Sequence, residues 1–294
     1  MKFILDIIKG MFIGVANIIP GVSGGTMAVS MGIYDKVVSS INGLTRQFKK
    51  SFVTLLPIVI GMAAGIGIFS FIIPHCLDKY AFQTCMCFCG LILGGVPELF
   101  LNTNKAFKKE EKKIGPFHIL AFAIFLAIAV WMALASPESK GADSINTSFA
   151  SILIMLGLGI IASATMVVPG ISGSLILMML GYYSGVVGTV KDFIVALKNF
   201  DKTALLHDIA LLVPFGIGCI LGFLLISKLI TWLFKKCESV TYCAIIALVL
   251  ASPFAIFMKM ENAHFEAVSI IVGVVLLVAG AVFTYLFGKK TKSK

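Results

Sequence analysis

The chain has 294 residues, 59% of them hydrophobic and 13% charged, with a mean hydropathy of +1.03 and a formal net charge of +10. That apolar excess excludes an ordinary soluble domain and reads as an all-α polytopic membrane protein. The positive charge is almost all lysine, with Arg46 the single arginine, and it falls in short loops between apolar runs, which fits the positive-inside rule and not a nucleic-acid surface.

The first apolar stretch, Phe3–Ile41, is interrupted by Asp6 and Lys9, and no small-residue cleavage site precedes PGVSGGT at Pro20–Thr26, so it is not read as a cleaved signal. Phe3–Ile18 would make about 24 Å of helix, short of a hydrocarbon core of about 30 Å. The stretch lies between a basic N-terminus and the basic loop Arg46–Lys50, so it must cross an even number of times. A re-entrant helical hairpin with PG-S-G near its tip is expected, two full crossings being the alternative. Ser51–Ile73 and Phe82–Phe100 then lead out and back to the basic segment Lys105–Lys113. Phe117–Ala135 leads out again to Ser136–Thr147, which carries Glu138 and Asp143. Leu153–Val190 is a second hairpin, broken at PGISGS (Pro169–Ser174), and the near-neutral loop Lys191–Asp208 follows it outside. Ile209–Thr231, Thr241–Phe257 and Phe265–Phe287 complete the set, with a turn at Lys259–His264 and a basic tail, KKTKSK. Most of the 24 Lys and Arg residues then lie inside, with both termini cytoplasmic.

The two broken stretches are copies. Aligning them pairs Pro20 with Pro169, Gly21 with Gly170, Ser23 with Ser172, Gly24 with Gly173, Gly32 with Gly181, Tyr34 with Tyr183, Val37 with Val186 and Val38 with Val187. Further on, Pro57, Gly61 and Gly65 match Pro214, Gly218 and Gly222. LILGGVP and LVLASP end on Pro97 and Pro253, one residue out of phase. The reading is a first repeat at 1–115 (hairpin plus two spans), a linking transmembrane helix at 116–136, a second repeat at 148–260 and a C-terminal helix at 265–288. An odd number of crossings separates the repeats, so they are expected to be inverted, the pattern of alternating-access transporters with broken helices at matching positions.

A glycine-rich break followed by a helix presents backbone N–H groups without helical partners, and the helix dipole adds partial positive charge there. That chemistry suits an anion without a buried cation. Ser23, Gly24, Gly25 and Thr26 in the first copy, and Ser172, Gly173 and Ser174 in the second, are the expected donors, with Pro20, Gly21, Pro169 and Gly170 shaping the breaks. The competing reading is close helix packing through small residues; the duplication favours the ligand site. Asn17 is an accessory candidate, although its repeat mate is Met166. Asp35 and Glu98 are coupling candidates, since ionisable groups at membrane depth mark ion pathways, with a simply interfacial carboxylate the other reading of Glu98. Lys36 and Lys228 read as snorkelling side chains. The seven cysteines, Cys85, Cys87 and Cys89 among them, read as unpaired thiols. No metal and no cofactor are expected.

NIIPGVSGGTMA (Asn17–Ala28) with MGIYDKV (Met31–Val37), MVVPGISGSLILMMLGYY (Met166–Tyr183) and GLILGGVP (Gly90–Pro97) resemble the signatures of the PopT-type polyprenyl-phosphate transporters, across nearly the whole chain. The resemblance implies translocation of undecaprenyl phosphate across the bacterial cell membrane, with both PG-S-G segments at the head group. The partners would be the lipid, the bilayer and a coupling ion, proton or sodium, with no nucleic acid. Two alternatives stand beside it. A membrane-embedded polyprenyl-pyrophosphate phosphatase carries a PGxSRS-type loop, where this chain has Gly24 and Gly173 at the arginine position, and no membrane-embedded pair of glutamates four apart is present. Without these there is neither general base nor cation for the transition state, so no enzyme is expected. An ion-coupled carrier of a small soluble anion could use the same cradle.

Overall fold

A computed structural model describes residues 2–19, 22–111, 113–135, 148–258, 260 and 267–292; among them there are thirteen α-helices and no strand. In chain order these are α1 (Lys2–Ala16), α2 (Gly24–Ser30), α3 (Tyr34–Gly43), α4 (Phe48–Lys79), α5 (Ala81–Leu93), α6 (Val96–Lys109), α7 (Pro116–Leu134), α8 (Phe149–Val167), α9 (Gly173–Met179), α10 (Tyr183–Asn199), α11 (Lys202–Lys236), α12 (Glu238–Met258) and α13 (Ala267–Lys292). Among the described residues seven spans are long and apolar enough to cross a membrane, and eight if the bent pair α9 and α10 forms one. Their outer faces are apolar, with Phe71, Phe117 and Val268 among the exposed large side chains, as a lipid solvent requires.

The order of elements repeats. Each half runs helix, break, two-turn helix, glycine turn, helix, then a long proline-containing helix: α1 to α4 with Pro57, and α8 to α11 with Pro214. The expected single-tip hairpin differs from this arrangement. The PG-S-G motif occupies only the first of two breaks, and a second break follows the short helix at Gly32 (φ +66°) and Gly181 (φ +78°). Glycine adopts this left-handed conformation without the clash a Cβ would bring, so the helix stops there and the chain turns. In the second half the turn bends α9 against α10 by 112°. The expected span Phe82–Phe100 likewise runs as two helices, α5 and α6, interrupted at Gly94 and Gly95.

The chain forms two compact units. The first comprises Met1–Ala135, Val168–Ile171 and Leu229–Lys294. In it α1 lies so close to α4 that a Cβ on Gly61 would sit 2.0 Å from the Ile7 carbonyl oxygen, and one on Gly65 2.4 Å from that of Met11. The last span, α13, packs against α5, and α7 packs against α12 around Ala129, Leu248 and Ala251. The second unit comprises Ser136–Val167 and Ser172–Lys228. Its core gathers Met155, Leu158, Ala162, Leu177, Val186 and Leu211. Here Gly218 and Gly222 repeat the close approach of Gly61 and Gly65: their Cβ atoms would lie 2.1 Å from the Leu156 carbonyl oxygen and 2.3 Å from that of Ile160. Backbone contact through small residues is how membrane helices associate without a hydrophobic driving force.

The loops Ser136–Thr147 and Lys259–His264 lie outside the described residues apart from Met260, as do Lys112 and the last two residues of the basic tail.

Candidate functional site

In the first motif Pro20 and Gly21 lie outside the described residues. The description resumes at Val22, and Ser23 caps α2 in an extended conformation (φ −97°, ψ 136°), its hydroxyl oxygen accepting the Gly25 amide at 3.2 Å. This is an ordinary serine cap, and it engages one of the orphan amides at the helix start. Ser23 and every residue of α2 are buried, and Thr26 is fully enclosed. Asn17 packs over Gly24, where a Cβ would lie 2.7 Å from its Oδ1.

The far end of α2 is closed by a residue to which no sequence motif assigns a role. Lys9 is 1% exposed, and its Nζ donates to the Met31 carbonyl at 2.7 Å. A cation at a helix C-terminus meets the negative end of the dipole as well as an unsatisfied carbonyl. Its other surroundings are the Phe287 ring, 5.9 Å away, and the charges of Glu98 and Asp6. Lys36 pairs with Asp6 in a short ion pair.

Glu98 and Asp35, the two coupling candidates, line one cavity of about 260 Å³ together with Gly32, Tyr34, Asn102 and Tyr242. The Tyr242 hydroxyl donates to Asp35 Oδ2 at 3.4 Å. Nothing in the sequence links the Gly32–Asp35 segment to Glu98 and Asn102 on α6 or to Tyr242 on α12; the cavity is a product of packing.

The second motif is built differently. Pro169 is buried and Gly170 holds φ +76°, pressed against α12 so that a Cβ would lie 2.8 Å from the Leu248 carbonyl oxygen. The Gly170 amide donates to the Thr26 hydroxyl at 2.7 Å, so the opening residues of the second motif meet the helix of the first. In the second unit Ser172 stands at the cap position of α9 without a capping bond (φ −102°, ψ 123°). Its hydroxyl lies 2.8 Å from that of Ser174, which is exposed. One of these hydroxyls donates to the other, leaving the pair one proton for a further acceptor. Gly173 lies against α8, and a Cβ there would come within 2.6 Å of the Ala162 carbonyl oxygen and 2.8 Å of Met166 Cγ. Gly24 under Asn17 and Gly173 under Met166 are therefore matched side-chain contacts in the two copies, and at Gly173 the Ala162 backbone comes closer still.

Both helices opened by the motifs have seven residues. A two-turn helix has a small dipole, so local amides and hydroxyls are the main donors at these breaks. Sequence reasoning missed Ser252, whose hydroxyl lies 3.3 Å from that of Thr26. The signal was present in LVLASP, whose serine falls where the first half has GGVP. The seven cysteines are free, and among the described residues no group of three or more His, Cys, Asp or Glu side chains converges on a metal-sized site.

The model of the undecaprenyl phosphate translocase-like family matches residues 13–272, a stretch that contains both motifs. The chain is similar to the polyprenyl-phosphate transporter of Staphylococcus aureus, 31% identical over 289 residues, which cover 98% of this chain and 96% of that protein. It is also similar to the polyprenyl-phosphate transporter of Vibrio cholerae, 28% identical over 267 residues, which cover 86% of this chain and 77% of that one. No solved structure matches.

Proposed function

The chain belongs to the undecaprenyl phosphate translocase-like family, and on that premise we propose that it carries polyprenyl phosphate across the bacterial inner membrane. The direction that serves envelope assembly returns the carrier lipid to the cytoplasmic face, where both termini lie in this reading. The observation that carries the proposal is a family match that spans both PG-S-G segments. The physics agrees with it. An isoprenoid tail can remain in lipid, so the protein need shelter only the head group. Neutral donors then suffice for a phosphate that never leaves the membrane region.

The head-group donors in this proposal are Ser172, Ser174 and the Gly173 amide in the second motif, and Ser23, Gly24, Gly25 and Thr26 in the first. Pro20, Gly21, Pro169 and Gly170 keep the breaks open, and Asn17 flanks the first. In the present conformation the second set is the one offered: Ser174 is exposed, while Ser23 and Thr26 are enclosed. The first set becomes available only when its own enclosure opens. Asp35 and Glu98, around their shared cavity, are the proposed place for a coupling proton or sodium ion.

The protein acts as a carrier and not as an enzyme in this reading. Glycine, at Gly24 and Gly173, stands where a phosphatase loop of this kind would hold a cation. The deciding experiment reconstitutes the purified protein in liposomes and follows labelled polyprenyl phosphate, inorganic phosphate and phosphate released from polyprenyl pyrophosphate. Movement of the lipid phosphate alone is expected. Release of phosphate, or movement of the inorganic ion alone, would replace this reading with one of its rivals.

A further inference from the structure

The contact between the two motifs has a direction that its hydrogen atoms fix. The Gly170 amide donates to Thr26 Oγ1 at 2.7 Å. Thr26 Oγ1 lies 3.3 Å from Ser252 Oγ, and Ser252 Oγ donates to the Leu248 carbonyl at 3.1 Å. A hydroxyl has one proton. That of Ser252 is engaged with Leu248, so the bond between the two hydroxyls runs from Thr26 to Ser252. The result is a four-membered relay, Gly170 N–H to Thr26 O–H to Ser252 O–H to Leu248 C=O, joining α2, the break before α9, and α12. Thr26 and Ser252 are each 3% exposed or less.

The relay is one-sided. In the motif alignment Thr26 faces Leu175, and Ser252 faces Val96 or Gly95 depending on which end of LVLASP is matched. Neither hydroxyl has a counterpart, so the other half of the repeat cannot form the mirror-image tie. Close helix packing would need no hydroxyl at either position, and it gives no reason for a polar chain through an apolar core, where each member must be satisfied at once.

We propose that Thr26 and Ser252 are positioning residues for transport. They latch Val168–Ile171 against α2 and α12 in the resting state, and opening the latch accompanies capture of the head group. This rests on the transporter reading. Three bonds between neutral groups, each worth little net, can bias a two-state equilibrium and still open within a transport cycle. Opening exposes the Gly170 amide and the Thr26 hydroxyl together, two donors suited to an oxyanion. A phosphate oxygen that takes the amide from Thr26 would then favour the released state, which ties cargo to motion.

The test uses full-length protein with Thr26→Val, Thr26→Ser, Ser252→Ala and the pair Thr26→Val with Ser252→Ala. The readouts are transport of polyprenyl phosphate in liposomes, its binding, and thermal stability. A second arm measures thiol labelling of Val168→Cys and Ile171→Cys in a background without the native cysteines, with and without Thr26→Val. The expected result is a change of about 2- to 10-fold in transport rate for Thr26→Val and for Ser252→Ala. Thr26→Ser should recover most of it, and the double variant should be no worse than Thr26→Val, because both singles break the same chain. Binding in Ser252→Ala should not weaken, and should tighten by up to about the factor by which the latch is weakened, because its hydroxyl meets no cargo and the released state that cargo favours is more populated. Labelling at 168 and 171 should rise when Thr26 is valine. Weakened binding in Thr26→Val with a Ser252→Ala silent in transport would overturn the latch and leave Thr26 as a ligand donor alone. Additive losses of stability with unchanged transport and labelling would reduce the relay to a packing contact. The labelling arm needs no cargo, so it judges the latch separately from the transport reading, which a parent protein inert toward polyprenyl phosphate would overturn.

Discussion

The two PG-S-G segments share Pro, Gly, Ser and Gly in register, yet the fold uses them in opposite ways. The first is enclosed: its serine caps α2, its threonine anchors a relay, and Lys9 closes the far end of the helix. The second begins in the same packed unit, at Gly170, but its two serines bond to each other, Ser172 half-buried and Ser174 exposed. The shared serine thus caps a helix in one place and leaves donor capacity unclaimed in the other, while Thr26 against Leu175 and Gly25 against Ser174 are differences of sequence. The difference comes from their neighbours, because α2 is surrounded on all sides whereas α9 carries Ser174 on an open face.

The largest expected effect falls on the glycines, where this contrast can be broken outright. Gly173→Ala sets a methyl 2.6 Å from the backbone oxygen of Ala162, which cannot move alone; overpacking of this kind costs about 1–3 kcal/mol. Gly24→Ala meets first the Asn17 side chain, which is exposed and can swing away. Thermal unfolding in detergent should therefore fall clearly for the first variant and little for the second. Equal losses would mean that the two copies are equally confined.

Next comes the closed end of α2. Lys9→Met keeps the length of the side chain but leaves the buried Met31 carbonyl without its donor, a penalty of about 1–3 kcal/mol. Second-motif variants such as Ser174→Ala should leave stability unchanged, since that side chain is exposed. A stable Lys9→Met protein would show that the first motif is less tightly held than its contacts suggest.

A smaller effect is expected for Ser23→Ala, which loses a cap worth about 0.5–2 kcal/mol. Ser172 occupies the same position in its own copy but makes no cap, so Ser172→Ala should be nearly silent in the same unfolding assay. The smallest change is Asn17→Met, which gives the first copy the residue of the second at an exposed position; a shift within about 0.5 kcal/mol is expected.

Much of this architecture is legible in the sequence. The apolar runs mark the membrane spans, and the alignment of Pro20–Val38 with Pro169–Val187 is enough to locate both PG-S-G breaks. Gly32 and Gly181 are among the matched residues, yet their role as a second turn does not follow from the match, because a glycine in an apolar run does not announce a positive φ. Gly61 and Gly65 match Gly218 and Gly222 for a reason visible only in three dimensions: both pairs let a long helix touch the backbone of the helix that leads into a motif. The inequality of the two motifs is not legible either. Burial of α2 depends on α1, α5 and α12, elements that a local pattern does not relate. The role of Lys9 escapes for the same reason, since its partner carbonyl lies at Met31, beyond the first break and the whole of α2.

The central claim is that the second motif, and not the first, offers its hydroxyls to the head group in the resting protein. Binding of a polyprenyl phosphate to the purified protein, compared between Ser172→Ala with Ser174→Ala and Ser23→Ala, tests it most directly. Hydrogen bonds to a charged group are worth about 1.5–3 kcal/mol, so the second-motif pair should bind roughly 10- to 100-fold more weakly than the parent. Ser23→Ala should stay within about threefold, because its hydroxyl is enclosed and already engaged with Gly25. Parent-like affinity in the second-motif pair, or an equal loss in Ser23→Ala, would contradict the account.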